Sequence, residues 1–219
     1  MKADAILLLV TLCWGVSYLL MDISLTELDP FTLNAFRFLG AFLIAVIFSW
    51  KKLLGVNKTT LKYSFFLGCA LVVVYIGATF GVKYTTLSNS GFLCALTVIF
   101  TPIISWLLFR NAPGKKLSIV VLMCFVGIAL LTLGDDFSIN TENLKGDLLC
   151  VMCALAYAID LIFTEKAVNK EEVNPYQLGV FQLGVTGVLN LLLAFLFETP
   201  QLPETAEVWG SALFLAVFC

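Results

Sequence analysis

The stretch DPFTLNAFRFLG, residues 29–40, recurs later in the chain as NPYQLGVFQLGV, residues 174–185. A shift of 145 positions aligns four apolar or proline positions: Pro30 with Pro175, Phe31 with Tyr176, Leu33 with Leu178 and Phe36 with Phe181. Each copy opens with a proline and continues into an apolar run. The two stretches therefore predict two helices of the same kind. They differ in charge, because Gln182 aligns with Arg37.

Long apolar runs separated by short polar loops make up the whole chain. Of its 219 residues, 60% are hydrophobic and 13% are charged, whereas soluble domains carry about 25% charged residues. Crossing a bilayer takes about 20 apolar residues in a helix, so the composition predicts an all-α polytopic membrane protein. The predicted spans are residues 5–22, 31–50, 63–82, 87–109, 117–134, 147–164 and 176–197, with a partial eighth from 208 to the end.

The basic residues are distributed unevenly between the two predicted faces of the membrane. Ten of the 13 fall in loops on one face: Lys2, Lys51, Lys52, Lys58, Lys62, Arg110, Lys115, Lys116, Lys166 and Lys170. The other face has only Lys83 and Lys145, and Arg37 lies within a span. Because cytoplasmic loops collect Lys and Arg, this asymmetry predicts a cytoplasmic N-terminus.

The first and sixth spans also align, at a shift of 143 positions. The matches are Asp4 with Asp147, Leu12 with Leu155, Trp14 with Tyr157, Ser17 with Asp160 and Asp22 with Glu165. Five spans separate the copies, and an odd number makes the second copy enter the membrane from the opposite side. Inverted repeats of this kind are typical of secondary transporters, whose substrate site lies near the midplane.

This alignment predicts an inverted-repeat bundle of five plus five transmembrane helices. The first repeat is expected at residues 1–134 and the second at 143–219. The last run, VWGSALFLAVFC, starts like the third span but stops after about half a membrane thickness. We therefore expect the second repeat to be C-terminally incomplete, with this chain ending in helix 8.

Residues that enzymes and metal sites commonly use are scarce. His is absent, and no metal-ligand cluster, phosphate-cradling glycine loop or nucleophile–base spacing occurs. Cys150-x-x-Cys153 has redox-motif spacing, but it lies at the start of a span, where small packing residues are expected. The sequence predicts no enzymatic activity, no cofactor and no bound metal.

Several segments resemble EamA-type members of the drug/metabolite transporter superfamily. They are Trp14-Gly15, D-P-x-x-L-x-x-x-R at residues 29–37, ATFGVKYTTLSNSGFL at 78–93, TPIISWLL at 101–108 and GDLLCVMCALAYA at 146–158. One departure is the loop FRNAPGKK, where Arg110 and Asn111 stand in place of the usual acidic residue.

The resemblance implies a ten-helix carrier, often an exporter, of small organic metabolites such as amino acids or related compounds. Alternating access between the inverted repeats is the implied mechanism, and a passive small-solute channel or facilitator is the alternative. We expect a multi-pass protein of a bacterial cytoplasmic (inner) membrane. The expected partners are a small-molecule substrate and the lipid bilayer, with a homodimer left open and no nucleic acid.

Asp160 is the first candidate for a functional side chain. It lies about 20 Å along the sixth span, and its short side chain leans toward the membrane middle. Acidic residues at such a depth are costly and mark proton relays or substrate contacts. The sequence therefore predicts proton coupling or binding of a substrate amine, unless the span ends near Asp160 and the carboxyl is interfacial.

Arg37 is the second candidate, and two interpretations of it remain open. It lies about 9 Å from the outer start of its helix, so its long side chain could extend back to the interface. A polar neighbour one turn earlier, Asn34, and the repeat mate Gln182 favour a cavity-facing guanidinium that attracts an anionic group.

Further residues are predicted to line the substrate pathway. They are aromatic residues or small polar residues within the spans: Trp14, Ser17, Tyr75, Asn89, Phe92, Tyr157 and Gln182. Three signals concern helix shape. Ser88, Asn89 and Ser90 are expected to cap the fourth span, Pro102 to kink it, and the G-x-x-x-G pair at 77 and 81 to allow a close helix crossing.

Overall fold

A computed structural model describes residues 2–110, 114–132 and 143–218 of the chain. These residues form nine helices, with no strand among them. The helices are α1 (Lys2–Ser24), α2 (Pro30–Leu53), α3 (Lys58–Tyr84), α4 (Leu87–Cys94), α5 (Thr97–Phe109), α6 (Lys115–Thr132), α7 (Leu144–Val168), α8 (Pro175–Phe197) and α9 (Ala206–Phe218). The prediction of an all-α chain is confirmed for the described residues.

Each predicted span coincides with helix, but the helices differ in how well they suit a bilayer. Within the described residues, five segments are long and apolar enough to cross it: Pro30–Leu53, Lys58–Tyr84, Leu87–Phe109, Leu144–Val168 and Pro175–Phe197. Three have shorter apolar stretches: Leu8–Ser24, Lys116–Gly127 and Ala206–Phe218. The predicted repeat boundary at 134, the loop residues 135–142, Asn111 and the terminal Cys219 lie outside the described residues.

The predicted fourth span is divided into α4 and α5 by a break that the sequence did not predict. Ala95 and Leu96 separate the helices with ψ of −15° and −17°. The backbone tightens there into i→i+3 bonds, because Val98 N–H donates to the Ala95 carbonyl at 3.1 Å. Pro102 lies inside α5, about two turns after this break, and the kink at Pro102 stays a prediction.

The chain divides into two compact units. Unit 1 comprises Met1–Val72 and Val168–Cys219, and unit 2 comprises Val73–Ala167. Helices α1, α2, α8 and α9 lie in unit 1, and α4, α5, α6 and nearly all of α7 lie in unit 2. Helix α3 begins in unit 1 and ends in unit 2.

In unit 1, the repeat-related helices α2 and α8 pack against each other in antiparallel orientation. Small residues bring the two backbones close, as is common between membrane helices. A Cβ at Gly187 would lie 2.8 Å from the backbone nitrogen of Leu39, and a Cβ at Gly184 would lie 3.0 Å from the ring of Phe42. Helix α9 completes the contact, since a Cβ at Gly40 would meet Ala216 at 3.0 Å.

In unit 2, the last part of α3 crosses α7 at close range, as the glycine spacing predicts. A Cβ at Gly77 would lie 2.7 Å from the Leu149 carbonyl oxygen, and a Cβ at Gly81 would clash with the Cys150 sulfur. Cys150 and Cys153 are 0% and 4% exposed, and both are free thiols. Their role as small packing residues is therefore supported.

Candidate functional site

Asp160 lies in α7 within unit 2 and is almost completely buried. Its side chain is 3% exposed, and its Oδ1 has no hydrogen-bond partner among the described residues. Tyr157, one turn earlier and half-buried, interacts electrostatically with both Asp160 and Tyr75. Three of the predicted pathway residues are thus neighbours within one unit. Asp160 is thus enclosed by protein groups, and its depth within the membrane stays a prediction.

Thr164 belongs beside Asp160, although the sequence reasoning did not select it. Its hydroxyl oxygen is also buried without a hydrogen-bond partner among the described residues. Residues four positions apart lie one above the other on a helix, so the spacing of Asp160 and Thr164 was a signal available in the sequence. Threonines are common in membrane helices, and only the buried, unbonded oxygen distinguishes this one.

Arg37 lies in α2 within unit 1 and is 3% exposed. Its Nη1 donates to the Met21 sulfur at 3.2 Å, and its guanidinium carbon lies 5.1 Å from the centre of the Phe38 ring. Contact with an aromatic face offsets part of the cost of burying a cation. The side chain is therefore buried against protein groups, which does not fit a guanidinium extended into interfacial water.

Three other predicted pathway residues also lie in unit 1. The Ser17 hydroxyl donates to the Trp14 carbonyl at 2.7 Å. Ser17 is 6% exposed, whereas the Trp14 side chain is 42% exposed. Gln182, the repeat mate of Arg37, is 8% exposed on α8. Both members of the Arg37–Gln182 pair are therefore buried.

Asn89 has a different position from the one expected of a helix cap. Thr86 caps α4, accepting the Asn89 backbone N–H at 3.2 Å. The Asn89 side chain instead donates to Asp147 Oδ1 at 3.4 Å, and the Thr85 hydroxyl donates to the same oxygen at 2.5 Å. The prediction that residues 88–90 form the cap is therefore wrong. Phe92, also on α4, is half-buried.

Two glutamates join loops at one end of the α2–α8 pair. Glu198 accepts the backbone N–H groups of Phe31 and Thr32 and the Thr32 hydroxyl, each at 2.9 Å. Glu27 accepts the Thr205 hydroxyl at 2.6 Å and the Glu204 N–H at 2.8 Å. The Glu198 bonds cap the start of α2, and the Glu27 bonds hold Glu204 and Thr205 directly before α9. They also hold the pKa of Glu27 below its usual value of 4.5, through the Thr205 hydroxyl first and the Glu204 N–H second.

A third glutamate joins loops at the opposite end of the pair. Glu172 accepts the Thr59 hydroxyl at 3.1 Å, and its carbonyl accepts the Asn57 side-chain amide. Nearby, Lys170 donates to the Tyr63 hydroxyl, and this bond raises the pKa of Lys170. The loop before α8 is thus tied to the start of α3.

The contacts at the two ends involve equivalent residues. Glu27 and Glu172 are 145 positions apart, and their threonine partners, Thr205 and Thr59, are 146 apart. The Gln201 amide donates to the Glu27 carbonyl at 2.6 Å, as Asn57 does to Glu172. We call these two sets of contacts the Glu27 clamp and the Glu172 clamp. Sequence alignment alone did not identify either, because the partners lie more than a hundred residues apart.

Known proteins with similar sequences are described as transporters. A family model described as the EamA-like transporter family matches residues 1–133. An uncharacterized transporter of Archaeoglobus fulgidus is 35% identical over 216 residues, which cover 99% of this chain and 65% of that protein. The uncharacterized transporter YoaV of Bacillus subtilis is 22% identical, covering 94% of this chain and 71% of that one.

A solute carrier and a solved structure are also similar to this chain. Solute carrier family 35 member F6 of Mus musculus is 32% identical over 127 residues, which cover 53% of this chain and 33% of that protein. A solved crystal structure has a TM-score of 0.66 at 18% identity and covers 94% of this chain and 73% of its own, which establishes the fold alone. The apolar helices, the buried intramembrane charges and these matches lead to one conclusion: this integral, multi-pass membrane protein belongs to the EamA-like transporter family.

Proposed function

We propose that this protein is a secondary transporter that exports small organic metabolites, such as amino acids or related compounds. Alternating access between two inverted repeats of five helices each would carry the substrate across the membrane. Family membership supports transport as the general activity. The finer proposal, a carrier with two inverted halves at residues 1–134 and 143–219, rests on features of this chain.

The observation that carries the proposal is the equivalence of the two clamps. At one end of the α2–α8 pair, Glu27 from the first repeat holds Thr205 of the second. At the opposite end, Glu172 from the second repeat holds Thr59 of the first. An inverted repeat requires this exchange of roles, since each contact must recur with the halves interchanged and the direction reversed.

The buried charges support a proposal for which chemical groups of the substrate the pathway binds. Arg37 would attract a carboxylate or another anionic group, and Asp160 would carry a proton or bind an amine. Trp14, Ser17, Tyr75, Asn89, Phe92, Tyr157 and Gln182 are proposed to line the pathway. Neutral, polarizable and aromatic walls are typical of sites that bind small organic molecules.

The distribution of Lys and Arg supports an N-terminus in the cytoplasm. In that orientation, the Glu27 clamp faces outward and the Glu172 clamp faces the cytoplasm. A bacterial cytoplasmic membrane is the proposed location. Labelling of single cysteines introduced at Glu27 and Glu172 with an impermeant thiol reagent in intact cells tests the orientation, because only the outward position reacts.

A solute-flux screen tests the function. The full-length protein in proteoliposomes is loaded with candidate amino acids and related metabolites, with and without a pH gradient. We expect at least one solute to be concentrated against its gradient. We expect Asp160→Asn to abolish the proton-driven component, and Asp22→Asn, an exposed acid at the end of α1, to serve as the matched control.

Two outcomes would decide against parts of the proposal. Flux that only equilibrates the solute, under every gradient tested, identifies a passive facilitator instead of a carrier. Proton-driven flux that is unchanged in Asp160→Asn removes Asp160 from the coupling mechanism. Sealed vesicles that transport no solute at all would leave the family assignment intact and the proposed activity unsupported.

A further inference from the structure

Two buried oxygen atoms lie one helical turn apart on α7 without a hydrogen-bond partner among the described residues. They are Asp160 Oδ1 and Thr164 Oγ1. Two other threonines of unit 2 donate their hydroxyls to nearby carbonyls: Thr97 to Cys94 at 2.8 Å and Thr101 to Thr97 at 2.7 Å. Leaving a buried polar group unbonded is unfavourable, because the group loses its hydrogen bonds to water and gains none in the protein. The pair therefore calls for a ligand.

The charge of Asp160 also requires compensation. Within unit 2, no basic side chain of the described residues forms an ion pair with it. The repeat explains why the half that contains Asp160 has no basic side chain at the position of Arg37. The half that contains Arg37 has Ser17 at the position of Asp160, whereas the half that contains Asp160 has Gln182 at the position of Arg37. At these two aligned positions, neither half has both an acid and a base.

The spacing allows both oxygens to approach one ligand. Positions i and i+4 lie on the same helix face, about 6 Å apart along the axis. A ligand between them would receive one carboxylate oxygen and one hydroxyl oxygen. Hard cations, which prefer oxygen ligands, fit one carboxylate oxygen and one hydroxyl oxygen. A divalent ion does not fit, because it requires several carboxylates.

The site needs both a positive charge for Asp160 and a partner for the Thr164 hydroxyl, and other occupants supply only one of the two. A proton on Asp160 neutralises the carboxylate but leaves the Thr164 hydroxyl without a partner. A water molecule bonds both oxygens but leaves a negative charge in a medium of low dielectric constant. A monovalent cation meets both needs, because it compensates the charge and takes a lone pair from the hydroxyl.

We propose that Asp160 Oδ1 and Thr164 Oγ1 form a binding site for a small monovalent cation, either a sodium ion or the ammonium group of the substrate. Water or the substrate itself supplies the remaining contacts. This inference rests on the proposed transport function and deepens it, since it names the cation that replaces a resident basic residue at Asp160. Thr164 becomes a ligand rather than a packing residue.

Binding of ²²Na⁺ to the purified full chain tests the site without requiring transport. We expect Thr164→Val to weaken binding about tenfold or more, as loss of a supporting ligand group typically does. Thr164→Ser keeps the hydroxyl and should bind nearly as the unmodified chain does. Thr101→Val makes the same substitution at a hydroxyl bonded to its own helix and should leave ²²Na⁺ binding unchanged.

The substrate arm distinguishes the two sources of the cation. If the site takes ammonium, ²²Na⁺ does not bind, and Thr164→Val raises the KM for amine substrates but not for analogues lacking the amine. Methylammonium then competes with those substrates in the unmodified chain and loses this ability in Thr164→Val.

Two results would overturn the proposal. In the first, Thr164→Val and Thr164→Ser behave alike in ²²Na⁺ binding and amine uptake, while Asp160→Asn still abolishes proton-driven flux. Asp160 then carries a proton only. In the second, the unmodified chain binds no ²²Na⁺, and methylammonium does not compete with its amine substrates. Absence of all solute flux would refute the transport proposal alone, because ²²Na⁺ binding remains measurable.

Discussion

Replacing Glu198 by Ala removes the cap from the start of α2. The Glu198 carboxylate accepts three hydrogen bonds of 2.9 Å from Phe31 and Thr32. The N-cap residue Asp29 makes no side-chain capping bond, so this helix start depends on a residue from the loop after α8. Loss of a capping side chain costs about 0.5–2 kcal/mol. A carboxylate near a helix N-terminus adds about 0.3–1 kcal/mol.

These two terms together give about 2 kcal/mol for Glu198→Ala. For a chain of this size, each kcal/mol lowers the Tm by about 2–4 °C. We therefore expect the Tm to fall by about 4–8 °C. Glu198→Gln keeps the shape and one acceptor oxygen but loses the charge, and we expect a smaller fall.

The buried thiols offer a direct assay. Cys94, Cys150 and Cys153 are 7%, 0% and 4% exposed, so a thiol-reactive dye reports their exposure as the detergent-purified protein is heated. Glu204→Ala is the matched control. The Glu204 side chain is exposed, and its contribution to the Glu27 clamp is a backbone N–H that alanine retains.

The reasoning is refuted if Glu198→Ala and Glu204→Ala melt at the same temperature. The cap would then contribute nothing measurable, and the close packing of α2 against α8 would position the start of α2 by itself. A fall in Tm that appears equally in Glu198→Gln and Glu198→Ala would assign the whole effect to the charge.

Three further predictions follow from the described residues. Because the pKa of Glu27 is lowered, its clamp stabilises the protein above about pH 4.5. This stabilisation is lost as the pH falls through the folded-state pKa. Glu27→Gln should therefore flatten the acid side of the Tm–pH profile, and an unchanged profile would contradict this. Gly146→Ala places a Cβ 2.5 Å from the Tyr84 backbone and should abolish a monodisperse peak in size-exclusion chromatography, whereas Gly91→Ala has nothing within 4 Å and should raise the Tm slightly. Arg37→Gln copies the repeat mate and should impair flux of carboxylate substrates more than flux of neutral ones; equal effects would leave Arg37 a packing residue.

Features that depend on local sequence were predicted well. The helical spans and the close crossing at Gly77 and Gly81 follow from hydropathy and small-residue spacing. The break in the fourth span was not predicted. Pro102 is accommodated within α5, and the backbone tightens at Ala95 and Leu96, where no residue type signals it.

Polar side chains inside or beside the spans were harder to place. Asn89 could cap its own helix or reach another one, and both options look alike in the sequence. The structure gives the cap to Thr86 and places the Asn89 amide against Asp147. Thr164 was missed because a threonine hydroxyl usually bonds to its own helix, and only its surroundings show that this one does not.

The sequence by itself determined that this chain is helical, lies in a membrane and contains related stretches around Arg37 and Gln182. Those properties follow from runs of apolar side chains and from positions compared along one dimension. Only the tertiary structure decided which charges have partners, because a partner is a matter of distance in space. Glu198 caps α2 by accepting the N–H of Phe31, 167 positions earlier in the chain, whereas the Asp160 oxygen meets no donor among the described residues.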